Sequence, residues 1–334
     1  MTPANYGTYV DGPAVDGIIV ELGWSSIQST PNGPFEYNWA GMHSWYTAAE
    51  ANGHRIIYKI MDRDFKASDG FVPAFLGADK GINSSCATCE TAHRWSQIPV
   101  WSKYSLHQAM AAEFHTETNG VSDYPLIEGI AYQETSLGLG WYQPNAGNYL
   151  NDNGYTPQLY VDQMIATLAN ARQNLPNWQI FQYANSISGM GGTSRIPYLE
   201  QIAAGAEMHG IVYGHPDILP ERAELPEGVY PVHRTFKGRV GLFTAAQYDS
   251  QKADEPAHVN NSTAGAYSAY FPNGSSAVWQ PDELIVYAEE RLHVDYFFWN
   301  YDVGGSATPG GRWHTKPTAF DAMEANPIES NYCE

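Results

Sequence analysis

The stretch Gly17–Phe65, GIIVELGWSSIQSTPNGPFEYNWAGMHSWYTAAEANGHRIIYKIMDRDF, sets the architecture of the whole chain. Gly17–Trp24 is a short run rich in β-branched residues, and the turn cluster Thr30-Pro31-Asn32-Gly33-Pro34 separates it from the next apolar segment. Trp39, Met42, Trp45, Tyr46 and Ala49 then recur at three- and four-residue steps, which predicts a helix. Asn52-Gly53, residues that tolerate positive φ, closes it. A second apolar run, Arg55–Met61, reads as another buried strand. Two short buried strands joined by a helix form a parallel crossover, and in such folds the loops at the carboxyl ends of the strands carry the chemistry.

Outward from this unit the alternation continues. Helices are expected at Ser102–Glu117, Pro157–Asn174, Tyr198–Met208 and Asp282–Leu292. Strands are expected at Leu126–Tyr132, Gln179–Tyr183, Gly210–Tyr213, Val240–Ala246 and Val294–Trp299. Two irregular segments stand out: Asp62–Val100, with Pro73 and Trp95, and the Gly-, Asn- and Tyr-rich loop Gly138–Tyr155. No linker or fixed-period repeat interrupts the pattern, so residues 1–334 are read as one α/β domain, a (β/α)8 barrel with long βα loops. The strand count is seven, and the missing first strand is expected in Ala4–Val10 or upstream of Met1.

The 334 residues are 43% hydrophobic and can bury a large core. Net charge is −19 and the isoelectric point is near 4.8, so no basic surface exists to displace phosphate counterions, and a nucleic-acid partner is excluded. Only 16% of residues are charged while Gly, Tyr and Trp are plentiful, a balance suited to a secreted protein that binds a neutral polar partner. No apolar run reaches the ~20 residues that span a bilayer, so a membrane partner is not expected. Met1 is then read as a start placed after a removed leader. Cys86 and Cys89 form a lone CxxC, read as a loop-stapling disulfide because no second pair completes a zinc site; Cys333 is left free. Asn83-Ser84-Ser85 and Asn273-Gly274-Ser275 fit the glycosylation triplet.

Trp24-Ser25-Ser26-Ile27-Gln28-Ser29, with Gly33-Pro34-Phe35-Glu36-Tyr37-Asn38-Trp39 after it, resembles the strand-end loop of the clan of retaining (β/α)8 glycoside hydrolases that includes many β-galactosidases, xylanases and cellulases. Gln28-Ser29 stands where that clan has Glu-Pro. Strand Ile127–Tyr132, running into Gln133-Glu134, is similar to the clan's fourth strand. There an amide and a glutamate bind the sugar 2-hydroxyl and serve as general acid/base, which implies those roles for Gln133 and Glu134. The chemistry asks for a carboxylic acid at a strand end that can protonate a leaving oxygen near neutral pH. A capping or salt-bridged carboxylate is the plainer alternative.

The clan's second carboxylate ends its seventh strand, and Gln247 stands there. An amide cannot form the ester intermediate of a retaining mechanism. Three readings remain open: Gln247 is an introduced substitution that traps substrate, Asp249 has taken the role, or the enzyme inverts with Glu21 or Asp217 activating water. Other strand ends offer Trp24, Arg63, Tyr183, Asn185, His215, Asn300 and Trp299 for substrate binding. Trp299 resembles the clan's eighth-strand tryptophan. Core packing for Trp299, and pairing with Asp64 for Arg63, are the plainer alternatives. His107 and His115 are read as a solvated helix face.

The expectation is a secreted, monomeric glycoside hydrolase acting on a poly- or oligosaccharide, with no cofactor. The rivals are a carbohydrate-binding barrel without catalysis and a polysaccharide lyase. No serine-hydrolase elbow, zincin helix or P-loop occurs.

Overall fold

A computed structural model describes residues 3–4, 16–31, 36–118, 120–139, 146–190, 192–216, 218, 229–246 and 281–299. Seven parallel strands form one sheet: β1 Gly17–Gly23, β2 Arg55–Met61, β3 Ile127–Tyr132, β4 Gln179–Tyr183, β5 Val212–His215, β6 Leu242–Ala246 and β7 Tyr296–Trp299. Neighbours in the sheet are neighbours in the chain. Between successive strands run α1 Ala40–Ala51, α2 Gln97–Phe114, α3 Pro157–Asn174, α4 Ile196–His209, α5 Tyr230–Phe236 and α6 Pro281–Leu292. This is the α/β barrel architecture.

Strand alternation sorts the side chains into two layers. Ile56, Tyr58 and Ile60 of β2 point outward into the large core shared with the helices, among Met42, Met110 and Phe114. Ile57, Ala131, Phe181, Val212, Phe243 and Ala245 point inward and fill the barrel. Ile19 of the first strand and Phe298 of the last pack on that same inner cluster, so the sheet is curled. The two edge strands are not paired with each other among the described residues. Of the segment expected to supply the missing strand, only Ala4 is described, so that expectation lies outside the described residues.

Several boundaries differ from the sequence reading, each for a local reason. Helix α2 begins at Gln97 rather than near Ser102, because Pro99 sits in the first turn, where its missing N–H costs no intrahelical bond. Strand β5 begins two residues later than expected, because Gly210 adopts φ 61° and caps α4 instead of opening the strand. A short helix, Ala146–Asp152, occupies part of the loop expected at Gly138–Tyr155, and α5 was not anticipated. His107 is no solvated residue. Its Nδ1 meets Asn170 Oδ1 at 2.8 Å, its Nε2 meets the Tyr132 hydroxyl, and burial pulls it down to about 4, so it is neutral.

The irregular segment after β2 holds a two-stranded hairpin, Lys80–Ile82 with Glu90–Ala92, and its turn carries the Cys86–Cys89 disulfide. Asn83 is buried. Its Nδ2 donates to Asp64 O, Glu90 O and Thr91 Oγ1 at 2.9–3.0 Å, so the folded chain does not offer this amide as a glycan acceptor. Asn273 and Cys333 lie outside the described residues.

Candidate active site

Three strand ends converge at the carboxyl face: Asp62-Arg63-Asp64 after β2, Gln133-Glu134-Thr135 after β3, and Asn185 shortly after β4. Gln133 ties the first two together. Its Oε1 accepts from Asp62 N and its Nε2 donates to Arg63 O, both at 3.0 Å, so both ends of this buried amide are spent on backbone. Beneath it, Asp62 receives Arg94 through Nε and Nη2 and Lys103 through Nζ, the last at 2.6 Å. Burial alone would raise the Asp62 carboxyl, but Arg94 and Lys103 outweigh it and hold it down at about 2. Arg94 also donates from Nη1 to the Glu134 carbonyl at 2.5 Å, which fixes the backbone that carries the catalytic candidate.

Glu134 is gripped from both sides. Arg63 Nη1 donates to its Oε1 at 2.9 Å, and Asn185 Nδ2 donates to its Oε2 at 2.8 Å. Its side chain is 15% exposed, enough to meet a ligand without being free to swing. Arg63 is in turn held by Ser136 O at 2.8 Å and reaches Ser85 Oγ of the hairpin turn at 3.4 Å. Gly138 makes room for it. A Cβ built there would lie 2.7 Å from Arg63 Nη2, and the backbone already sits at φ 65°. The partner of Arg63 is therefore Glu134. Asp64 instead accepts from Phe71 N and Glu90 N and organises the loop.

A second charged group stands on the inner wall of the barrel. Lys59 Nζ donates to Glu21 Oε1 at 2.9 Å and lies 4.4 Å from the centroid of the Tyr183 ring. Burial disfavours the Lys59 ammonium, but Glu21, Tyr183 and Glu134 together outweigh it, and it is held above the ordinary lysine range. The Lys59 ammonium in turn holds the Glu21 carboxyl below the usual carboxylate range. One ammonium therefore acts electrostatically on two carboxylates, the half-exposed Glu21 and the largely buried Glu134.

The structure thus brings together Glu134, Arg63, Gln133 and Asn185, and links them through Lys59 to Glu21 and Tyr183. Trp24 is elsewhere. It is fully buried in the helix-side core, and its Nε1 donates to Gln28 Oε1 at 2.7 Å. His215 ends β5 facing the helix layer, with its ring 4.6 Å from Tyr230 and 4.7 Å from His233. Trp299 is the last residue of β7, whose register pairs it with Ala246. Asp217, Gln247, Asp249 and Asn300 lie outside the described residues.

Sequence reasoning missed Lys59, Arg94 and Lys103. Lys59 had a signal, a lone cation at an inward position of an apolar strand. Arg94 and Lys103 had none, since only the path of the chain between β2 and β3 brings them under Asp62.

No family model matches this sequence, and no curated protein matches it. Among solved structures, the catalytic domain of β-amylase from Paenibacillus polymyxa superposes with a TM-score of 0.54 at 11% identity, covering 94% of this chain and 91% of that one. At that identity the likeness speaks for the fold, and it agrees with the barrel architecture. A glucosidase from Croceicoccus marinus gives a TM-score of 0.41 at 10% identity over 95% of this chain and 57% of that one, too low to add to the fold assignment.

Proposed function

We propose that the protein is a secreted glycoside hydrolase that cleaves a poly- or oligosaccharide, with Glu134 as general acid/base. The observation that carries this reading is the setting of Glu134: a partly exposed carboxylate at the carboxyl end of a barrel strand, oriented by Arg63 and Asn185 from the two adjacent strand ends. That face is where α/β barrels place their chemistry. The Arg63 ion pair is the salt-bridged carboxylate of the plainer alternative, so the acid role requires Arg63 to turn away from Glu134 when substrate is bound, freeing the carboxyl to carry a proton to the glycosidic oxygen. The disulfide in the hairpin turn favours an oxidising compartment.

A partner carboxylate completes the reaction. Asp249 is the first candidate, Glu21 the second and Asp217 the third. Glu21 faces solvent and is ionised, so it can accept a proton from water, but the Lys59 ammonium that lowers its pKa also makes it a weaker base than a free carboxylate, which places it behind Asp249. If Glu21 is the partner, the reaction inverts; if Asp249 attacks the sugar directly, it retains.

The test is incubation with a panel of glycans and mass analysis of the products. Gain of one water per cleavage supports hydrolysis. An unsaturated product end would identify a lyase. Binding without any product, together with activity created by Gln247→Glu, would identify a carbohydrate-binding barrel whose nucleophile position carries an amide.

A further inference from the structure

Phe65 comes directly after the Asp62-Arg63-Asp64 strand end and is 41% exposed. One face of its ring is backed by the Arg63 guanidinium, whose Cζ lies 4.6 Å from the ring centroid, and that same guanidinium holds Glu134. The ring is not on a loose loop. Asp69 Oδ2 accepts from Phe65 N and Lys66 N, both at 2.8 Å, which closes a tight turn around the ring. Asp64 clamps the base of the same loop through Phe71 N at 2.6 Å and Glu90 N at 2.9 Å. A flat apolar ring thus stands partly in solvent on a loop whose backbone is fixed, with the catalytic candidate's own cation behind one face.

We propose that Phe65 is the platform of a sugar subsite next to Glu134, where the apolar face of a pyranose ring stacks while the neighbouring unit of the same chain lies at the Glu134 carboxylate. The chemistry is that of a neutral saccharide. Its CH face needs an exposed aromatic ring, and a ring carried on a backbone fixed in advance binds at a smaller ordering cost. Before substrate arrives Arg63 serves both places, holding Glu134 with one edge and backing the stacking ring with its face. The inference rests on the carbohydrate reading of the site but does not require turnover.

The test uses the full chain with malto-, cello-, xylo- and β-1,4-galacto-oligosaccharides of two to six units, binding being read by calorimetry in a Glu134→Gln background and turnover in the parent chain. Phe65→Ala is expected to weaken binding of the longer members of the recognised series by about tenfold, equivalent to about 1.4 kcal/mol, while Phe65→Tyr restores it. Unchanged affinity in Phe65→Ala for every length, or full rescue by the non-planar Phe65→Leu, overturns the subsite and leaves the hydrolase reading standing. A fall in thermal midpoint in place of a fall in affinity would make the ring a packing group and also overturn it. Weakened binding with no turnover in the parent chain keeps the subsite and removes the hydrolase. Absence of binding by the parent chain to all four series overturns both.

Discussion

At the scale of single residues, the site is a set of charges whose partners are fixed. Glu134→Gln keeps the shape and, through its one amide oxygen, the hydrogen bond from Arg63; Asn185 must turn its own amide to accept from the new NH2. The transferable proton is lost, so turnover is expected to fall by roughly 10²–10⁴ while glycan affinity is retained. Unchanged activity in that variant would remove Glu134 from the mechanism. Asp62 makes a different prediction, about stability. Its carboxyl, ordinarily at 3.8, is held at about 2 in the folded chain. A depressed carboxylate contributes stability in full above its unfolded value and loses it as the pH falls through the folded one. Urea midpoints measured from pH 5 down to 2 should therefore fall in the parent chain and fall less in Asp62→Asn. At neutral pH, Asp62→Asn leaves Arg94 and Lys103 buried without their counterion and should cost about 3–5 kcal/mol.

Among the elements, two glycines mark where backbone approaches limit the fold. At Gly129 in β3 the register with β2 slips by one residue, and a Cβ there would lie 1.8 Å from Gln179 O of β4. Gly129→Ala must therefore break the pairing of the strand that carries Glu134, and little folded protein is expected on circular dichroism or in soluble yield. Gly138→Ala acts more locally. The left-handed backbone costs about 1–2 kcal/mol for a residue with a Cβ, and the methyl group pushes on Arg63. Activity should drop further than the thermal midpoint implies, because Arg63 no longer sets the position of the Glu134 carboxylate before substrate arrives, while the strands stay paired. Equal losses in Gly138→Ala and in a stability-matched surface variant would show that Arg63 does not position the carboxylate.

The whole molecule combines a curled sheet with a stapled loop over the end of β2. The Cys86–Cys89 bridge closes a small ring, so loop-closure entropy gives it about 2 kcal/mol at most. Its larger effect is on position: Ser85 beside it reaches Arg63, and Ser84 N donates to Gly138 O at 2.9 Å. Alkylation of the unfolded, unreduced chain is expected to label Cys333 alone, and all three cysteines after reduction. Stoichiometric zinc in the native protein would contradict the disulfide assignment.

The alternation of strand and helix, the carboxyl-end placement of Glu134 and the CxxC staple were all legible in the amino-acid order, because each depends on residues close in the chain. Period-two and period-3.6 patterns record which face of an element is buried, and that fixes the layers. The pairings came from the folded chain alone. Arg63 looked like a partner for its neighbour Asp64 and instead meets Glu134, 71 positions away. Trp24 looked like a cleft residue, yet its place at the turn leaving β1 carries it into the helix-side core. Lys59 meets Glu21 across 38 positions because β1 and β2 lie side by side in register. An ion pair in a barrel is set by which strand ends and loops are adjacent in space, and no local periodicity encodes that adjacency.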